Sequence, residues 1–198
     1  EKTQPSAADF LFESATEYDI DRSKRYEFKL GGAKKLSLCA CEGEKLRIVL
    51  ASNQLSSLES DLKVKIDDVR ERIDIDLSRK NGLTEAQAKE ALYISVFVPA
   101  KYIYHIEVAA NAADVEVSHI QCEDLELNIK ASSLRINDVE STMEVNCNLD
   151  MDIDCLSFRG SLEINQVSAT SRLTVPADFA FRALVKGLGN SVRYEKAG

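Results

Sequence analysis

The sequence predicts an all-β fold of the parallel β-helix or solenoid-like type, with short strands and one short helix in a loop of the N-terminal half. Three observations predict it. Apolar residues alternate with polar ones in run after run, glycine-bearing turns bound the early runs, and from Tyr104 one four-residue pattern returns at near-constant spacing as IEVA, LELN, MEVN and LEIN. Alternation of period two marks strands with one face buried. The constant return marks units that cannot bury their inner face alone and must stack on their neighbours, whereas the hairpins of an antiparallel sandwich impose no fixed return.

Residues 1–21 are polar, contain Pro5 and show only the weak cluster FLF, so they are expected to form a loosely attached leader. A single solenoid domain is expected over 22–198. Its first strands are Tyr26, Phe28 and Leu30, then Leu36, Leu38 and Ala40 after the glycine turn GGAKK, then Leu46, Ile48 and Leu50 after CEGEK. Leu62, Val64 and Ile66, then Ile73, Ile75 and Leu77, then Ile94, Val96 and Val98 continue the pattern. One helix interrupts it: in LTEAQAKEAL, Thr84 and Gln87 stand at capping-box spacing ahead of good helix formers.

The clearest repeats run from 104 to 176. Ile106, Leu125, Met143 and Leu162 open equivalent segments 19, 18 and 19 residues apart. A second apolar pair follows in each row, as Val115 and Val117, Leu134 and Ile136, Met151 and Ile153, Leu173 and Val175. A third apolar position follows in the first three, as Ile120, Val139 and Leu156. Stacked at about 4.8 Å, such rows place Glu107, Glu126, Glu144 and Glu163 in one outward column and Asn128, Asn146 and Asn165 in the next. These seven residues are the candidate binding ladder. Stacked amides can hydrogen-bond along their column, while carboxylates about 5 Å apart repel by somewhat under 1 kcal/mol in water, so the acidic column reads either as a solvated face or as a site for a cation or a basic partner. Inside, Cys147 falls level with Ile129, and Cys155 falls level with Asp138 and His119 at a corner. Residues 177–198, with Arg182, Lys186 and Arg193, are read as a C-terminal cap over the last coil.

Composition narrows the function classes. The chain has 198 residues, is 44% hydrophobic, and carries a formal charge of −8 with a pI near 4.9. It is long enough for a substantial core, and its acidity argues against nucleic acid as a partner. No run reaches the length of a transmembrane segment; the best, YISVFVPAKYIYHIEV, is broken by Pro99, Lys101, His105 and Glu107. The chain opens on Glu1 rather than Met, so the lack of a targeting segment decides nothing. Cys39, Cys41, Cys122, Cys147 and Cys155 form no CxxC pair and match no zinc spacing, and are read as free thiols acting as small hydrophobes.

Chemical motifs are few. In DMDID, Asp150, Asp152 and Asp154 have the opening spacing of a calcium loop, but Cys155 stands at its glycine position and Ser161 at its closing glutamate. His105 and His119 lie beside strands without a ligand partner at metal spacing. No GxSxG elbow is present, and KGLGNS and LGGAKK lack P-loop spacing and read as hairpin turns. No cofactor, metal or catalytic residue is expected. A carbohydrate-active or polysaccharide-binding β-helix is the rival class, but rows this short leave little chain to wall a cleft. Arg135, level with Glu116 and Asp152, reads as a neutralising neighbour.

The rows VAANAADVEVSHIQCEDLELNIKASSLRINDVES resemble a bacterial family of domains of unknown function labelled candidate adhesins, and LYISVFVPAKYIYHIEVAANAADVEV looks like the passage leading into that family's repeats. Where the family often carries glycine before an aspartate, this chain has Ala113-Asp114. The resemblance implies a β-solenoid associated with the bacterial cell envelope or surface, although free cysteines fit a cytoplasmic location equally. It brings no catalytic residues, and the reading is a non-enzymatic structural or interaction module whose protein or cell-surface partner is unknown and which can associate with itself.

Overall fold

The computed structural model describes residues 10–99, 103–189, 191 and 193. Among these residues, thirteen strands form one sheet that bends into two faces around a shared core. In order, the elements are β1 (Phe12–Asp19), β2 (Arg25–Ala40), β3 (Lys45–Ser52), α1 (Leu58–Asp61), β4 (Leu62–Val69), β5 (Arg72–Arg79), α2 (Glu85–Ala91), β6 (Tyr93–Val98), β7 (His105–Ser118), β8 (Gln121–Ile129), β9 (Ser133–Asn137), β10 (Val139–Asn146), β11 (Met151–Cys155), β12 (Phe158–Asn165) and β13 (Ser171–Thr174).

The two long strands β2 and β7 run parallel to each other across both faces. On the first face β5, β2, β7, β8, β10 and β12 are successive parallel neighbours. On the second, β6 and the later half of β2 are followed by β7, β9, β11 and β13, again all parallel. The apolar alternation creates this arrangement, because inward side chains meet in one cluster: Ile106, Leu125 and Met143 face inward from one sheet, and Val115, Leu134 and Ile153 from the other, each at most 2% exposed. Small residues turn the corner between faces. Ala33 and Ala112 are level with each other and fully buried there.

The stack is therefore solenoid-like, as its rows predict, but its beginning is mixed. β1 pairs antiparallel with β3, β3 with β6, and β4 with β5. Residues 12–19, expected as part of a loose leader, are an eight-residue edge strand in which Phe12 and Tyr18 contact the core. Between them on the inner side lie Ser14 and Thr16, which is why no apolar alternation announces the strand. The sequence GGAKK is a bend inside β2 and not a hairpin turn: Gly31 takes φ +67, and a Cβ on Gly32 would meet Glu85 Cγ at 2.8 Å and Glu85 O at 2.9 Å, because α2 packs directly on this corner. The predicted capping box of α2 is present, with Gln87 N donating to Thr84 Oγ1 at 3.2 Å and Thr84 N donating to Gln87 Oε1 at 2.9 Å. The one-turn α1 has no sequence signal of this kind and adds a second helix.

Two further expectations shift. The second apolar pair of the third row is Ile153 and Cys155, opposite Leu134 and Ile136, so Cys155 is a core residue 2% exposed and not a corner residue. The third apolar position there is Phe158, opposite Val139; Leu156 points outward. The described residues of 177–198, the segment expected as a cap, form neither helix nor strand. Phe181, Leu184, Val185 and Leu188 are exposed, and no strand directly precedes KGLGNS, whose Asn190 and most of whose downstream flank lie outside the described residues.

Candidate interaction face

Parallel strands without register slips in their cores align like with like, and the first face shows the result. Glu107 is opposite Glu126, Glu126 opposite Glu144, and Glu144 opposite Glu163. The row extends upstream beyond the sequence reading, since Glu27 is opposite both Glu107 and Asp74. Six carboxylates from six strands thus form one line: Asp74, Glu27, Glu107, Glu126, Glu144 and Glu163. Glu27 and Asp74 were missed because they lie far upstream, but YEF and IDI carry the same apolar, acidic, apolar signal as IEV.

All three predicted asparagines stand in the adjacent column, Asn128 opposite Asn146 and Asn146 opposite Asn165. Their amides serve the acidic line as well as each other. Asn128 Nδ2 donates to Glu107 Oε1 at 3.1 Å and to Glu126 Oε1 at 2.9 Å. Asn146 Nδ2 donates to Asn128 Oδ1 at 2.9 Å, with Glu126 Oε1 at 3.5 Å, and Asn165 Nδ2 donates to Glu144 Oε1 at 3.0 Å. Each amide bridges back towards a carboxylate of the preceding row, which offsets the repulsion between rows with neutral donors and leaves the net negative charge in place. At the upstream end Arg72 reaches Glu27 at 3.5 Å and Asp74 at 3.1 Å.

The second face contrasts with this. Arg135 is opposite Glu116 and Asp154, correcting the expected level with Asp152, and Asp152 is opposite Ser133 and Arg172. Lys35 pairs with Glu116 at 2.7 Å and Arg172 with Asp152 at 3.3 Å. There, opposite charges alternate from row to row.

The remaining candidates are structural. Asp150 of DMDID accepts a hydrogen bond from Thr170 N at 2.8 Å, and Asp152 and Asp154 point outward from β11. His119 and Asp138, equivalent left-handed corner residues at φ 58 and 53, meet at 2.9 Å, and His105 lies 3.7 Å from Asp124. Burial raises the Cys122 and Cys155 thiols above the ordinary range, away from the thiolate form that reactivity requires. Among the described residues no three His, Cys, Asp or Glu side chains converge as metal ligands. No described helix is long and apolar enough to cross a membrane.

A solved structure shares this architecture. A candidate cell adhesion protein of Clostridium sporogenes superposes with a TM-score of 0.51 at 8% identity, covering 83% of this chain and 100% of that one. Candidate adhesins of Bacteroides fragilis (TM-score 0.37, 11% identity, 83% and 95% covered) and Parabacteroides distasonis (0.33, 10%, 83% and 96%) are also similar. A comparison with curated proteins found no match. The family model Toastrack DUF4097, a β-solenoid-like fold, matches residues 40–176. With the stacked rows, their register and most of its length accounted for by that match, the chain belongs to the Toastrack DUF4097 family.

Proposed function

We propose that this protein is a non-enzymatic, adhesin-like interaction module, and that the first face binds a basic protein surface through its carboxylate line. The observation that carries the reading is the in-register row of Asp74, Glu27, Glu107, Glu126, Glu144 and Glu163, with neutral amides rather than cations beside its downstream members. Regular spacing near 4.8 Å along a rigid sheet suits an extended Lys- or Arg-rich segment, whose like charges repeat along one direction. The description of the Clostridium sporogenes neighbour as a candidate cell adhesion protein supports an interaction role.

Fluorescence anisotropy with a labelled twenty-residue oligolysine tests this. Binding is expected at low ionic strength, falling steeply as salt shortens the screening length, and weakening several-fold in Glu126→Gln/Glu144→Gln. Oligolysine binding that the double substitution leaves unchanged overturns the assignment to this face. So does glycan binding on an array in the absence of any oligolysine binding.

A further inference from the structure

Among the described residues, the downstream end of the stack finishes on two strands that each have one neighbour. β12 pairs with β10 alone, and β13 with β11 alone. Apolar residues at this end are incompletely covered: Phe158, Leu162 and Ile164 are half-buried, and Leu173 is 42% exposed. An open edge with apolar side chains beneath it is a template for another strand. We propose that the occupant is a second copy of this chain, joined head to head through β12 of both protomers, in a two-fold dimer.

The register follows from which backbone groups are free. Ser157 O and Asn165 O accept from Val139 N and Cys147 N of the preceding row. With the alternation of a strand, the odd-numbered residues of β12 turn their backbone groups towards β10, and Phe158, Gly160, Leu162 and Ile164 turn theirs to the open edge. An antiparallel pair exchanges hydrogen bonds between directly opposed residues of this free set. The two-fold register centred on Ser161 pairs Phe158 with Ile164 and Gly160 with Leu162 of the second copy, and uses all four free residues of each strand.

That register is complementary on both surfaces. Inside, Gly160 leaves room beneath the opposing leucine, while Phe158 meets isoleucine. Outside, Arg159 lies opposite Glu163 of the other protomer, twice by symmetry, at the non-hydrogen-bonded positions where side chains approach most closely. Arg159 is 76% exposed at its side chain and anchored at 2.7 Å to Glu140, so it is held at the edge with capacity for a second carboxylate. Two-fold symmetry is what a self-complementary patch produces. The β13 edges face each other across the same axis and cover Leu173.

Ser161→Cys tests the geometry directly. Opposed Cα atoms at a non-hydrogen-bonded antiparallel site lie about 4.5 Å apart, inside the range a disulfide spans, and residue 161 is exposed. Under mild oxidation Ser161→Cys is expected to give a covalent dimer, while Thr142→Cys, one row inward, and the unsubstituted chain do not. In analytical ultracentrifugation Arg159→Glu or Glu163→Arg alone is expected to weaken self-association roughly tenfold by creating two like-charge pairs, and Arg159→Glu/Glu163→Arg is expected to restore it. No Ser161→Cys dimer, equal dimer from Thr142→Cys, or failure of the double reversal to rescue overturns the proposal. These readouts are independent of oligolysine binding, so this proposal and the proposed function fail separately.

Discussion

Replacing Asn128 isolates the role of the amide column. Its Nδ2 donates to Glu107 at 3.1 Å and Glu126 at 2.9 Å, and its Oδ1 accepts from Asn146 at 2.9 Å. A hydrogen bond to a charged group contributes about 1.5–3 kcal/mol. All of these side chains are only partly buried, so the low end applies, and Asn128→Ala is expected to cost about 2–3 kcal/mol. Asn128→Asp keeps the shape and adds a third carboxylate. At about 5 Å each repulsion amounts to roughly 1–3 kcal/mol for an effective dielectric between 80 and 20. Splaying of the glutamates reduces this, so Asn128→Asp is expected to fall about 2 kcal/mol below Asn128→Ala in low salt. Urea unfolding reads both as midpoint shifts at constant slope. Raising the salt should narrow the gap between the variants, because it screens the added charge, and should leave the Ala loss nearly unchanged. An Asn128→Ala cost under about 0.5 kcal/mol, or Asn128→Asp no worse than Asn128→Ala in low salt, would refute the bridging role.

Two other perturbations follow from single residues. The Tyr26 hydroxyl, fully buried, accepts from Asp21 N at 2.7 Å and donates to Asp21 O at 3.2 Å, and burial pushes its pKa up to about 12 from 10. The folded state therefore favours the neutral phenol, so the contribution is complete below pH 10 and is lost as pH rises from 10 to 12. It amounts to roughly 2–3 kcal/mol, and Tyr26→Phe should flatten that part of the stability curve measured by chemical denaturation. Gly160 has φ +119, and a Cβ there would sit 2.1 Å from Ser141 O. Gly160→Ala is expected to cost 3 kcal/mol or more or to detach β12, read by amide exchange of 158–165, whereas Gly43→Ala, at φ +114 with nothing within 4 Å, should cost about 1–2 kcal/mol.

The later rows were legible in the sequence because a strand's side-chain period is two and the rows keep nearly one length. Leu125, Met143 and Leu162 could be aligned by counting, and the Glu and Asn columns came with them. Counting failed where a corner changed length. Asn128 is five residues before Ser133, but Asn146 is six before Asp152, and Ser133 pairs with Asp152; the second column was therefore misaligned, and Cys155 was placed on a corner. Strand direction was legible only where the rows return at near-constant spacing. Alternation is the same read forwards or backwards, so β3 and β4, which lie upstream of the repeat, carry no mark of their antiparallel pairing. Edge strand β1 gave no signal because only two of its inner side chains are large and apolar.

The difference between the two faces does not follow from the fold. Parallel, in-register stacking rewards residues that tolerate their own kind, such as aliphatic groups inside and asparagine outside, and it penalises a repeated charge. The second face obeys this: Glu116, Arg135 and Asp154 alternate in sign across three rows. The first face, built from the same strands and corners, repeats a carboxylate six times and relieves it downstream of Glu27 with neutral amides. A lysine or arginine in place of asparagine in any one of the downstream rows would relieve the repulsion more fully, as Arg72 does beside Glu27 and Asp74 upstream. That the backbone demands no acid there supports the proposed contact with a basic partner, so the oligolysine measurement bears on function and the Asn128 measurement on stability.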